Sequence, residues 1–89
     1  MDAPYRSTPV FDEQTLPGAL RGEHNTKAGV WGVIRVLEGR LAYTIIDPPS
    51  ETVLTPEAPG FVLPQQKHFV TPLGPMRCRV DFYNAPPEL

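Results

Sequence analysis

Apolar and polar positions are patterned most clearly in residues 24–43, and the rest of the chain is interpreted around this stretch. Residues 30–37 are mostly apolar or β-branched, Glu38-Gly39 has the composition of a tight turn, and residues 41–46 form a second strand-like run. The pattern predicts a β-hairpin. Counting outward from its turn gives an inward face made of three pairs: Val36 with Leu41, Ile34 with Tyr43, and Gly32 with Ile45.

Prolines and glycines divide the rest of the chain into short segments. A helical turn over 12–15, ended by Pro17-Gly18, and a strand beginning near residues 20–24 are expected before the hairpin. The last strand alternates strictly, with Met76, Cys78, Val80 and Phe82 on the core side and Arg77, Arg79, Asp81 and Tyr83 on the other. Further strands are predicted at 7–11, 51–54, 61–63 and 68–71. Six to eight short strands without a long helix predict an all-β fold, a small antiparallel barrel or jelly-roll sandwich.

Composition limits the possibilities further. With 89 residues there is room for one domain, whose core we place at about residues 5–84 between a flexible N-terminal arm and C-terminal tail. The net charge of −2 and the absence of a basic run argue against a nucleic-acid partner. No apolar stretch suits a signal peptide or a membrane span, so we expect a soluble, cytoplasmic protein. A single cysteine excludes an internal disulfide framework.

Two histidines and the cysteine are the candidate chemistry. If the strand runs back unbroken from Gly32, His24 shares its inward phase, and His68 begins another strand, so the two could meet and hold an anion or a metal. With Cys78 as a third ligand the set would suit Zn²⁺ or Cu. The favoured alternative has His24 bonded to a loop backbone, His68 as an ordinary pocket histidine and Cys78 as a small buried apolar residue.

Glycines around Trp31 predict open space inside the barrel. The expected small-ligand pocket is lined by His24, Gly32, Ile34, Tyr43, Val62, His68, Cys78 and Phe82. Close packing of Tyr43 against Gly32 is the structural alternative. No Ser-His-Asp set and no pair of carboxylates is readable, so no catalytic residues are assigned.

The outer side of the chain suggests partners. Lys27 and Arg77 are candidates to bind an oxyanion near the mouth, or else are solvated charges. The outward apolar residues predict a homodimer; they are Trp31, Val33, Leu37 and Ile46.

Four segments carry a family resemblance: HNTKAGVWG, VLEGRL, FVLPQQKH and VDFY. Together they resemble the TehB/YeaR-like family, a small cupin-like domain that occurs alone and fused to a methyltransferase in some tellurite-resistance proteins. The resemblance implies a cupin-like double-stranded β-helix. The metal-ligand positions of cupins would fall on Thr26, Ala28 and Gly32, which cannot supply an imidazole or carboxylate, and only His68 matches. No Gly-rich strand-to-helix loop is present to hold S-adenosylmethionine.

The leading interpretation is a non-catalytic or weakly catalytic cupin-like module that works as a homodimer and binds a small ligand, such as an oxyanion, an organic molecule or a metal. One alternative is a metal-dependent enzyme, or a metal-binding protein, that uses His24, His68 and Cys78 with a divalent ion such as Zn²⁺. The other is a structural dimerisation domain.

Overall fold

The computed structural model describes residues 3–88; Met1, Asp2 and Leu89, which belong to the predicted arm and tail, lie outside the described residues. One short helix and eight strands follow the chain in the order β1 (Arg6–Ser7), β2 (Phe11–Asp12), α1 (Gly18–Arg21), β3 (Trp31–Glu38), β4 (Leu41–Ile45), β5 (Ser50–Leu54), β6 (Gly60–Val62), β7 (His68–Pro72) and β8 (Arg77–Tyr83). In the described part of the chain, no helix has the length and apolar character needed to cross a membrane.

The strands form two antiparallel sheets. In the first sheet the order is β1-β8-β3-β6, and β2 also pairs with β8; in the second the order is β5-β4-β7. The sequence-based expectation of a mostly β chain with antiparallel strands and almost no helix is confirmed.

The predicted hairpin is wrong, because β3 and β4 belong to different sheets. Val36 lies opposite Cys78 on β8, whereas Leu41 lies opposite Leu54 and Pro72 in the second sheet. The chain crosses between the sheets at Gly39, which has a φ of 77°. Beside it, the β7–β8 connection crosses in the same region, and the Leu73 amide donates to the Arg40 carbonyl over 3.2 Å. A Glu-Gly turn between two apolar strands is compatible with such a crossing as well as with a hairpin. In the crossing, each strand can still turn its apolar side toward the opposing sheet.

The inward phase predicted for these strands is nevertheless observed. Ile34, Val36, Leu41 and Tyr43 are buried, each with at most 4% of its surface exposed. The buried apolar cluster draws on both sheets and also includes Leu16, Leu54, Val62, Val70, Met76, Cys78 and Val80. One core therefore lies between the two sheets.

Alternation along β8 holds for the core side but does not predict burial on the other side. Asp81 and Tyr83, expected on the side away from the core, are only 3% and 5% exposed. The Asp81 carboxylate accepts hydrogen bonds from Ser7 Oγ at 2.7 Å, from Arg35 Nε at 2.7 Å and from Arg79 Nε at 3.0 Å. Burial alone would raise the pKa of Asp81, but these three bonds hold it below its ordinary value. Through Ser7 the same carboxylate ties β1 to the sheet.

The N-terminal segment differs from expectation after residue 16. Residues 12–15 do form a turn, in which Asp12 Oδ1 accepts from the amides of Gln14 and Thr15 at 2.8 Å. Pro17 then precedes a helix instead of ending one. A proline is tolerated at the start of a helix because the amide hydrogen that it lacks would have no partner in the first turn. Residues 20–23 consequently form no strand, and Leu20 packs against the core.

Candidate functional site

The two histidines meet in space. The amide of each donates to the carbonyl of the other over 3.0 Å, an isolated antiparallel bridge between the 22–30 loop and the start of β7. Their rings lie with centroids 4.0 Å apart and planes inclined by 57°. His24 reaches this place from a loop and not from an unbroken strand, because Thr26 Oγ1 donates to the Val30 carbonyl at 2.8 Å and Gly29 takes a φ of 76°.

Backbone carbonyls fix the orientation of both rings. His68 Nδ1 lies 2.8 Å from the Gln66 carbonyl oxygen, and His24 Nδ1 lies 3.1 Å from that of Gly22. Because a carbonyl oxygen only accepts, each Nδ1 carries the hydrogen and Nε2 has the lone pair of the neutral ring. Burial lowers the pKa of His68; the bond to the Gln66 carbonyl opposes this shift, and the nearby His24 adds to it. His68 therefore favours the neutral form, whose Nε2 accepts a hydrogen bond.

A cavity of about 290 Å³ opens beside this pair and is lined by residues of both sheets. Its inner wall is apolar and buried, and its outer wall is polar and more exposed. The lining residues are Tyr5, Arg6, Thr8, Leu16, Leu20, His24, Asn25, Thr26, Lys27, Val30, Gly32, Ile34, Leu41, Val62, His68, Val70, Cys78, Val80 and Phe82. Seven of the eight residues expected around a pocket lie there, and Tyr43 does not.

Tyr43 instead supports the site from behind. Its hydroxyl donates to the Phe61 carbonyl over 2.7 Å, and its ring meets that of His68 edge-on with centroids 5.6 Å apart. Burial raises the pKa of Tyr43 to about 12. The glycine against which it packs is Gly60, where an added Cβ would lie 3.0 Å from Tyr43 Cδ2. A Cβ at Gly32 would lie nearest to Val62 and Val80, and the suggested packing of Tyr43 on Gly32 stays a prediction.

Several lining residues were missed because distant segments supply them. Arg6 reaches the cavity through the pairing of β1 with β8, where it lies opposite Phe82, and Leu16 and Leu20 reach it through the turn and helix. Of the two oxyanion candidates, Lys27 lines the cavity and Arg77 does not; Arg77 lies 3.9 Å from Glu38 in an exposed ion pair. The only sequence signal for Arg6 is its place just before the strand predicted at 7–11, which does not reveal the pairing with β8.

The residues present do not fit the four-ligand metal site of a cupin. The Thr26 hydroxyl donates a hydrogen bond to the Val30 carbonyl, Ala28 is exposed, and Gly32 has no side chain. Among residues 3–88, no three His, Cys, Asp or Glu side chains are grouped so that they could hold a metal ion. Cys78 lines the same cavity as the histidines, and burial raises the pKa of its thiol. His24, His68 and Cys78 are not grouped in this way, so a metal shell made of them would require their side chains to rearrange, and it stays a prediction.

The outward apolar face is less continuous than its sequence indicates. Val33 is fully buried within the single chain, Trp31 and Ile46 are half-buried, and Leu37 is exposed. Val33 is therefore not available to a second subunit, and the homodimer stays a prediction.

Three comparisons place the chain among known proteins. The family model for the TehB-like domain matches residues 6–80. A protein described as a probable S-adenosyl-L-methionine-dependent methyltransferase TehB, from Haemophilus influenzae, is 36% identical over 85 residues, which cover 89% of this chain. The chain spans only 30% of the length of that relative.

Solved structures show the same fold. The crystal structure of TehB from Haemophilus influenzae superposes with a TM-score of 0.81 at 34% identity, over 90% of this chain and 30% of that one. A structural-genomics crystal structure of an Escherichia coli K12 protein superposes with a TM-score of 0.82 at 22% identity, over 96% and 92% of the two chains. The structure of FeII HppE has a TM-score of 0.63 at 22% identity, over 83% and 40%. The last two likenesses concern the fold alone.

Proposed function

This chain belongs to the TehB-like domain family, and we propose that it is a cupin-like binding module whose two sheets form a jelly roll around a small-ligand site. The cavity beside the paired histidines is the observation that carries the proposal. At about 290 Å³ its volume lies at the lower end of the range for ligand pockets, which is about 300–1,000 Å³. The ligand is accordingly small, and the Nε2 atoms of His24 and His68 are the polar atoms that orient it.

The hydrogen bonding of the surrounding polar groups supports a role for His68 Nε2 in ligand binding. Within residues 3–88, every fully buried side-chain nitrogen or oxygen has a hydrogen-bond partner, and no protein partner is found for this Nε2. The atom therefore reaches the space of the cavity although His68 is only 2% exposed. A ligand hydroxyl or amine, or a water molecule that bridges to a ligand carboxylate, would complete its hydrogen bonding.

We place the methyl transfer named for the relatives in the part of those proteins that this chain does not match. The support is that the chain spans only 30% of the length of the relative. The proposed contribution of the TehB-like domain is binding, without a catalytic residue of its own.

The test is a two-dimensional ¹H–¹⁵N NMR titration with a library of small fragments and oxyanions, including tellurite and sulfate. Fragments should shift the amides of cavity residues on β3, β7 and β8. In His68→Ala, hydroxyl-bearing fragments should bind about tenfold more weakly, as expected for one lost hydrogen bond. Phe69→Ala is the control, because Phe69 follows on β7 and does not line the cavity. Failure of every compound to shift cavity amides would contradict the binding function.

A metal-binding role is the second candidate, because Nδ1 of each histidine is already anchored to a carbonyl, as in many metal sites. Elemental analysis of the purified protein and titration with zinc and copper, with Cys78 kept reduced, test it. Stoichiometric metal that is lost in His24→Ala would support a shell of His24, His68 and Cys78. Equal metal content in wild type and variant would exclude it.

A further inference from the structure

We propose that the ligand is a small amphiphilic anion, whose apolar body lies against the inner wall of the cavity and whose charged head faces Arg6 and Lys27. This inference rests on the binding function proposed above and adds the chemical class of its ligand. It follows from how charge and burial are distributed around one cavity.

The inner wall is aliphatic. Ile34, Leu41, Val62 and Val70 line the cavity, and each is at most 4% exposed. Transfer of apolar ligand surface from water onto such a wall is favourable. By contrast, an inorganic oxyanion lying against this wall would lose its hydration without gaining hydrogen bonds in return. The wall therefore selects an apolar group.

The exposed side of the cavity is cationic. Arg6 and Lys27 both line it, and both are exposed. No Asp or Glu of residues 3–88 lines the cavity. This includes Glu23, although it directly precedes the lining residue His24. In the described chain, neither cation forms an ion pair, since the three ion pairs found join Arg35 and Arg79 to Asp81 and Arg77 to Glu38. Their charge is therefore available to a ligand.

The size of the cavity limits the ligand. A volume of 290 Å³ corresponds to about ten water molecules at the density of the liquid, so a ligand has on the order of ten non-hydrogen atoms. A medium-chain carboxylate meets all three conditions. Octanoate has the required size and a flexible chain that can follow an aliphatic wall of any shape.

Three eight-carbon probes of similar size differ in the charge of the head: octanoate, 1-octanol and n-octylamine, each titrated by NMR at low salt. Octanoate should bind about fivefold more tightly than 1-octanol, because Arg6 and Lys27 attract its charged head but, being exposed, do so only weakly. Octylamine should bind most weakly. The advantage of octanoate over octanol should shrink as NaCl is raised to 1 M, where the screening length is about 3 Å.

The double variant Arg6→Gln/Lys27→Gln should bind octanoate and octanol equally. The matched control is Arg40→Gln/Lys67→Gln, which removes the same net charge from two exposed residues that do not line the cavity and should keep the octanoate advantage. Thermal unfolding of both variants checks that they are folded.

The outcomes distinguish the chemical class of the ligand from the binding function itself. If all three probes shift cavity amides with equal affinity, the anionic class is wrong while a binding cavity remains. If the control variant loses the octanoate advantage as fully as the cavity variant does, the effect belongs to overall charge and the assignment to Arg6 and Lys27 is wrong. If no probe shifts a cavity amide, the amphiphilic anion is refuted, and the fragment and oxyanion titration decides separately whether the cavity binds anything.

Discussion

Substitution of Gly39 by alanine tests where the chain crosses between the sheets. An alanine Cβ at this position would lie 3.0 Å from Met76 Cα, and closer still to the carbonyl oxygen of Pro75. Both are backbone atoms of the β7–β8 connection, so no side-chain rotation can relieve the contact. In a β3–β4 hairpin, this close approach to residues 75 and 76 would not be required.

Two contributions set the magnitude. A residue with a Cβ at a φ of 77° costs about 1–2 kcal/mol in the left-handed region, of which about 0.4–1 kcal/mol is offset by the stiffer unfolded chain. Forcing a group into packed atoms typically costs a further 1–3 kcal/mol or so. Gly39→Ala should therefore lower the free energy of unfolding by about 2–4 kcal/mol. That is a large part of the roughly 4–13 kcal/mol expected for a domain of 89 residues.

Gly29→Ala is the matched control, because Gly29 has a φ of 76° but no atom within 4 Å of an added Cβ. It should carry the backbone cost alone, about 1 kcal/mol or less. Urea unfolding followed by circular dichroism and by Trp31 fluorescence gives both free energies. Equal losses in the two variants would show that residues 39 and 75 do not approach closely, and the crossing described here would then be wrong.

The further predictions concern three titratable groups. Asp81→Ala should lose about 2–3 kcal/mol in urea unfolding, because it leaves Arg35 and Arg79 without their carboxylate in a partly buried place, whereas alanine at the exposed Asp47 should lose little. Since the pKa of Asp81 is lowered on folding, the stability it contributes is present above its ordinary pKa and is lost as pH falls; Asp81→Asn should flatten the acid limb of the stability profile. Since the pKa of His68 is also lowered, the unfolded chain binds the proton more readily, so stability should fall as pH drops below about 6.5, with a smaller fall in His68→Phe. Iodoacetamide should modify Cys78 slowly until urea unfolds the protein, because burial raises the pKa of the thiol; rapid reaction of the folded protein would place Cys78 outside the core.

The facing of the strands could be predicted from the sequence, whereas the pairing could not. Alternation is local, so it assigned Ile34, Val36 and Cys78 to the inside correctly. Pairing depends on which sheet a strand joins, and a Glu-Gly turn permits both a hairpin and a crossing. The choice is made by contacts between residues 39–40 and 73–76, which are distant along the chain.

Burial of charge was also beyond a local pattern. Alternation with core residues places Asp81 on the side away from the core, yet it is buried by partners that come from three different strands. No spacing within β8 announces Ser7, which lies 74 residues away from Asp81. The pattern along one strand predicts which face of the sheet a residue occupies. Whether that face is exposed to solvent depends on the neighbouring strands.

The candidate site combines both kinds of information. His68 was assigned to a pocket from the phase of a short strand, and its inward position needs nothing beyond β7 itself. His24 was given the same inward direction on the premise of an unbroken strand, but it reaches His68 because its loop pairs with β7 through two backbone hydrogen bonds. The outer wall, including Arg6, depends on the N-terminal segment pairing with the last strand. The local pattern therefore finds the apolar wall of the cavity, whereas the charges that would select a ligand are brought there by long-range pairing.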